Sequence, residues 1–237
     1  EAKFITAEKV MWAIVSFGDY KSPGVDDLLP IVMKHFGPNS ISRLTSIFKA
    51  SYLLGYTPSQ WRRGRVVFIP KPGKGDYSLP RSFRPITLSS FLIKTMERIL
   101  LWELNATTLA QKPLNANQHA FRKGRSTETA LSNVVGMIEN AFSKGEFALG
   151  VFLDIQGAFD NVKPESIIRG MRMKGVKEPF VQWYDHYLRN RRVVVDHQGV
   201  KIEKHLTLGV PQGGVLSPVM WNIVADSLLE TCDAGFI

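Results

Sequence analysis

A few residues in this sequence have types and spacings that could do chemistry. Asp154 closes Phe147 to Leu153, a run that is apolar almost throughout. Such a pattern predicts a central strand buried on both faces. A carboxylate at the tip of a buried strand is costly unless something pairs with it. A hard divalent cation such as Mg²⁺ is one partner, with one or two carboxylates as its usual protein ligands. An Asx-turn or a helix cap is the plainer alternative. Lys71 and Arg84 stand at the two ends of a turn-rich loop. Lysine is a compact charge for phosphate and arginine a fork that grips two oxygens; a solvated hairpin needs neither role. Gln212 sits in Pro211-Gln212-Gly213-Gly214. Paired glycines there let backbone approach a ligand closely, or simply turn the chain.

Two basic blocks suit the backbone of a nucleic acid. Arg62, Arg63 and Arg65 lie beside Trp61, and Arg122, Lys123 and Arg125 surround Gly124. An adjacent aromatic could stack on a base, whereas exposed solvated patches would do neither. Arg189, Arg191 and Arg192 form a weaker third block. His35, His119, His186, His197 and His205 show no metal-ligand spacing. With Cys232 as the single cysteine, no zinc site can be argued.

Composition narrows the class. The 237 residues are 44% hydrophobic and 22% charged, an ordinary globular balance that excludes collagen-like and disordered chains. No run of 18 apolar residues exists, so no membrane span is expected, and no apolar leader region is visible. A lone cysteine cannot form an internal disulfide, which suits a reducing, intracellular compartment. The net charge of +9 is not spread evenly. Residues 61–130 hold thirteen basic and four acidic side chains, while 1–60 and 131–237 are near neutral at +1 and −1. A surface so basic suggests a polyanionic partner.

The elements that must position these residues follow from periodicity. Val10, Met11, Ile14 and Phe17 predict a first helix, and Ile41, Leu44, Ile47, Phe48 and Ser51 another. Residues 65–69 are β-branched and apolar, and 84–88 resume extended chain after Pro70 to Ser82, so a hairpin with a basic tip is expected. Helical period returns over 90–104 and over 127–143, the latter with Ser126 as its cap. Pro164 and Pro179 mark two helix starts. Residues 192–196 and 200–206 flank Gln198-Gly199 as a second hairpin, and Ser217-Pro218 opens a last helix with Val219, Ile223 and Leu228 on its apolar side. Strands and helices interleave irregularly, which favours an α+β fold.

Six segments, in order, resemble reverse transcriptases, in particular those of non-LTR retrotransposons of the jockey and R1 type. They are Ser22-Pro23-Gly24-Val25-Asp26, the stretch 68–74 with Arg84-Pro85-Ile86-Thr87-Leu88, Lys94 to Ile99, Gln118 to Thr127, Val151 to Val162, and Gly209 to Pro218. The resemblance implies a right-hand polymerase fold, with fingers at 1–87 and 162–210 and an incomplete palm at 88–161 and 211–237. It implies an RNA-directed DNA polymerase that adds deoxynucleotides to the 3′-hydroxyl of a DNA primer on an RNA template. The chemistry it implies uses two Mg²⁺ ions, with Mn²⁺ as the alternative. By the same resemblance, Asp154 and the Ile155 carbonyl would bind metal. Lys71, Arg84, Phe159, Gln212 and Gly213 would bind the incoming nucleotide, with Phe159 screening the 2′ position of the sugar; a plain core phenylalanine is its other reading. Arg62, Arg63, Arg122, Lys123 and Arg125 would hold nucleic acid. An intracellular location is expected, with the nucleus as the place of integration.

The sequence departs from the family in one respect. A Tyr-x-Asp-Asp hairpin is expected beyond the Pro-Gln-Gly helix, and the one Asp-Asp pair is Asp26-Asp27. The expectation is a fragment with the thumb absent, inactive when isolated. Asp160 is read as a structural cap rather than a metal ligand. The alternatives are a non-catalytic RNA-binding remnant of a mobile element and an intron-encoded maturase.

Overall fold

The structure is a computed structural model that describes residues 2–197 and 199–233; Glu1, residues 234–237 and Gln198 of the expected hairpin turn lie outside it. Local signals set the helix starts. The Thr6 side chain accepts the Lys9 N–H at 3.3 Å and opens α1 (Ala7–Val15). Prolines stand in the first turns of α2 (Pro30–Lys34) and α3 (Pro38–Leu53), where a missing N–H costs no helical bond. The basic hairpin follows as β1 (Arg63–Pro70) and β2 (Phe83–Ser89). Ser90 then caps α4 (Phe91–Ala106) by accepting from the Leu92 N–H at 3.1 Å. After the short α5 (Thr108–Gln111), Ser126 opens α6 (Thr127–Ser143) with a reciprocal capping box to Thr129. The single turn α7 (Ala158–Asn161) precedes α8 (Pro164–Lys174), α9 (Glu178–Arg189), β3 (Arg192–His197), β4 (Val200–His205) and α10 (Ser217–Asp233).

The strands form one sheet in the order β2-β1-β3-β4. β1 is antiparallel to β2 and parallel to β3 through Gly64↔Val193 and its neighbours, and β3 is antiparallel to β4. The parallel pair ties the basic hairpin to a second hairpin far away in sequence. The fold is α+β, as the irregular interleaving indicated. No helix among the described residues is long and apolar enough to cross a membrane.

The core gathers on α4, whose Ile93, Met96, Ile99 and Leu100 are fully buried. α1 packs on α4, α3 on α9, and α8 on both α9 and α10. Trp183 of α9 is fully buried and donates its Nε1–H to Ser51 Oγ of α3 at 2.9 Å, so its polar tip is satisfied. Trp61 packs edge-on to Phe48, with ring centroids 5.3 Å apart.

One expected element is not there. Residues 147–153 are irregular, and Phe147, Leu149 and Phe152 are more than nine-tenths exposed. The apolar run predicted chain that could be buried on both faces, but burial needs neighbouring strands on each side. The sheet contains no such neighbour among the described residues. α6, just before it, also buries no residue. On α10, Leu228 is half-exposed although periodicity assigned it to the apolar side.

Trp183→Ala is expected to cost about 3–5 kcal/mol, the range for a buried tryptophan. Leu54→Ser, at a side chain that is largely exposed, is expected to change stability by no more than about 0.5 kcal/mol. Urea unfolding of the two variants checks both.

Candidate functional site

The chain from Leu208 to Ser217 is a strap fastened to the α7 turn and to the edge of β2. Its entry rests on the α7 turn: the Gly209 N–H donates to Val162 O at 2.8 Å and the Val210 N–H to Phe159 O at 2.7 Å. Gly209 has φ +78°, and a Cβ there would meet the Asp160 carbonyl oxygen at 2.6 Å, so only glycine lets the two backbones approach. The middle of the strap lies along the free edge of β2, where the Thr87 N–H donates to Gln212 O at 2.8 Å. Gly213, with φ +117°, would put a Cβ 2.8 Å from Thr87 O. Its exit folds back on itself, since the Ser217 hydroxyl donates to Pro211 O at 2.8 Å.

The Gln212 side chain donates Nε2–H to Asp160 Oδ1 at 2.7 Å. Both line an open cavity of about 270 Å³ whose walls include Val66, Phe68, Pro85 and Thr87 of the hairpin. Asp160, read from sequence as a cap, is therefore the partner of a candidate site residue. Nothing local marks it, because Gln212 lies 52 positions away. Phe159, its neighbour, is half-buried, with ring centroids 5.9 Å from Phe121 and 6.3 Å from Trp221.

Lys71 and Arg84 stand on the two sides of the hairpin near its tip. Ile69 pairs with Arg84, and the Lys71 N–H donates to Ser82 O at 2.8 Å. Arg84 is exposed, while Lys71 Nζ donates to Arg81 O at 3.0 Å. Strand alternation puts Arg84 with Ile86 on one face and Pro85 with Thr87 on the other. Gly213 approaches Ile86, on the Arg84 face, whereas the Gln212 side chain enters the cavity on the opposite face. The strap thus wraps the strand edge and meets both faces.

The basic blocks divide between latches and cations that have no partner among the described residues. Arg62 donates to Thr57 O at 2.9 Å and Asn190 O at 3.1 Å, and Arg63 pairs with Glu203 at 2.9 Å. Arg122 donates to Asn115 O at 2.6 Å and Gln118 O at 3.2 Å. Lys123 is exposed and Arg125 half-buried. Trp61, expected as a stacking platform beside Arg62, is buried. Phe121 beside Arg122 is exposed instead, and its φ of +53° is unusual for a bulky residue. Arg65 pairs with Asp27 and Arg189 with Asp185 and Glu165, so these charges are answered within the chain.

Asp154 and Ile155 lie on the irregular stretch after 146, and Asp154 is exposed. Among the described residues no group of three or more His, Cys, Asp or Glu side chains comes together to hold a metal ion. Asp154 with one backbone carbonyl does not make up the donor set of a two-ion site.

Glu97 belongs to the site although no motif chemistry singles it out. It lies on the buried face of α4, fully inaccessible, and its Oε2 accepts the Val215 N–H at 3.0 Å. Burial pushes this carboxyl up to about 7, against the opposing pull of the Val215 N–H, Lys94 and Arg191. Burial and the Glu97 charge together push the Tyr184 and Tyr187 hydroxyls upward. Arg191 is buried too, and donates to Leu208 O at 2.9 Å and to Gly209 O. A charged residue amid the helical apolar positions of 91–104 was the available signal.

Residues 69–236 match the family model described as reverse transcriptase (RNA-dependent DNA polymerase). The chain belongs to this family. Its reverse transcriptase sequence is 33% identical over 227 residues to the Drosophila melanogaster protein described as "probable RNA-directed DNA polymerase from transposon BS". That match covers 95% of this chain and 25% of the relative. The RNA-directed DNA polymerase from the mobile element jockey of the same species is 31% identical over 94% of this chain and 24% of its own length. The reverse transcriptase chain thus spans about a quarter of the length of these relatives. A partial Cas6-RT-Cas1–Cas2 complex matches with a TM-score of 0.52 at 18% identity, covering 98% of this chain and 34% of that one. The structural likeness extends to the polymerase fold, and the sequence likeness to non-LTR retrotransposon reverse transcriptases.

Glu97 gives this reverse transcriptase fold a pH dependence. Its carboxyl is at about 7 when folded and at the ordinary 4.5 when exposed. The folded chain therefore keeps a proton that the unfolded chain releases, and stability falls as pH rises from about 4.5 through 7. Glu97→Gln is expected to remove that fall; urea unfolding of parent and variant at pH 5 and pH 7.5 checks it.

Proposed function

We propose that this chain is the part of a retrotransposon RNA-directed DNA polymerase that receives the incoming deoxynucleotide beside a primer and an RNA template. The observation that carries the reading is the strap. It brings Gln212 and Gly213 onto the edge of the basic hairpin and, through Asp160, beside Phe159. These are segments that the family resemblance ties to nucleotide.

Lys71 and Arg84 at the hairpin tip suit the triphosphate, because an ammonium and a guanidinium fork meet phosphate oxygens in complementary ways. Gly213 leaves backbone bare on the same face. Asp160 holds the Gln212 amide in one orientation. Phe159, whose ring packs against Phe121 and Trp221, would stand under a sugar and disfavour a 2′-hydroxyl. Lys123 and Arg125 are the cations best available to template or primer phosphates, whereas Arg62, Arg63 and Arg122 shape the surface through the bonds they make. The pairing of β1 with β3 supports one fingers unit from 1–87 and 162–210, with 88–161 and 211–237 assigned to the palm.

Asp154 is proposed as one ligand of the divalent ions that such transfer uses, Mg²⁺ or Mn²⁺. The described residues do not complete that donor set, so residues 1–237 alone are proposed not to extend a primer. The setting is proposed to be intracellular, with integration in the nucleus.

In the chain as its gene encodes it, Asp154→Ala is expected to abolish primer extension while leaving template binding within about twofold, as for a residue that acts only in the chemical step. Arg84→Ala is expected instead to raise the deoxynucleotide KM about tenfold or more, the scale of one charge-assisted hydrogen bond. Extension assays with a filter-binding control separate the two. Full extension by Asp154→Ala would remove it from the reaction, whereas RNA binding without extension by the parent chain would favour an RNA-binding role.

A further inference from the structure

We propose that Glu97 is a positioning residue for nucleotide binding: from inside the core, its carboxylate holds the exit of the strap and so sets where Gln212 and Gly213 stand. This rests on reading the strap as the nucleotide site.

Glu97 touches the strap rather than any surface. Its Oε2 accepts the Val215 N–H at 3.0 Å, and the Leu216 backbone also donates toward it. These amides lead directly into α10, whose N-terminal end favours a negative charge. The Ser217 hydroxyl, the local candidate for that duty, is turned to Pro211 O instead. The acceptor therefore comes from another helix. Gly214 marks how close the approach is: a Cβ there would lie 3.3 Å from Glu97 Oε1 and 2.9 Å from Pro211 Cγ.

The other end of the strap is held in the opposite sense. Arg191, 4% exposed, donates to the carbonyls of Leu208 and Gly209. A buried guanidinium grips carbonyls before the loop, and a buried carboxyl group accepts from amides after it. Only Val210 to Gly214 lie between, and Gln212 and Gly213 are two of those residues. A buried charge is expensive to keep, and an apolar side chain could fill the same volume. What an apolar side chain could not do is accept the Val215 N–H.

Two measurements test the role. The first is hydrogen–deuterium exchange on residues 1–237, which needs no activity. Glu97→Met keeps the volume but removes the acceptor and leaves the Val215 N–H unpaired. It is expected to speed exchange at Val215 and Leu216 about tenfold, the scale of one hydrogen bond to a charged group, with α1 and α4 keeping their protection. Glu97→Gln, whose amide oxygen still accepts, is expected to restore slow exchange. The second uses the chain as its gene encodes it. There Glu97→Met is expected to raise the deoxynucleotide KM about tenfold with kcat and primer–template affinity within about twofold, and Glu97→Gln to return KM near the parent value. Unchanged exchange in Glu97→Met overturns the proposal. So does an unchanged KM in Glu97→Met where Gln212→Ala raises it. If Gln212→Ala leaves KM unmoved while Glu97→Met still loosens the strap, the nucleotide reading falls and takes the positioning role with it, although the clamp stands.

Discussion

The strap from Leu208 to Ser217 is held by groups that the rest of the fold supplies. Arg191 fixes its entry and Glu97 its exit, both from positions with almost no access to water. Each charge is buried at a cost, and each is offset by backbone dipoles that would otherwise be unpaired. Remove the helices around α4 and neither charge could be kept in place. The packing of α1, α8, α9 and α10 is therefore what lets a short, glycine-rich segment keep one conformation.

The same segment explains why the sheet is arranged as it is. β2 is an edge strand, and an edge offers unpaired backbone groups. The strap occupies that edge through the Thr87 N–H, and the α7 turn closes on it through Phe159 O and Val162 O. An exposed liability thus becomes the seat of the candidate nucleotide loop. The parallel pairing of β1 and β3 carries the hairpin to Arg191, so the sheet and the buried guanidinium are parts of one support.

Much of this was legible beforehand. The caps at Ser90 and Ser126, the prolines in helix first turns and the two hairpins all act within a few residues, and local chemistry decides such features. The order of motifs likewise pointed to the family before any contact was seen. The apolar run 147–153 misled for the converse reason. Its composition reports what a strand could bury, whereas burial depends on neighbours that composition cannot supply. Arg62 and Arg122 show another limit: a basic residue reads as free charge until its carbonyl partners are known, Asn190 for Arg62 and Asn115 for Arg122.

The sequence by itself determined the local elements, the basic character of residues 61–130 and the motif order that marks a reverse transcriptase, because these follow from side-chain type and short spacing. Only the tertiary structure decided that Asp160 holds Gln212, that Trp61 is buried while Phe121 is exposed, and that Glu97 and Arg191 clamp the strap. Those relations join residues far apart in the chain. A hydrogen bond or a buried charge is settled by what folding brings within about 3 Å, and no spacing along the sequence encodes that distance.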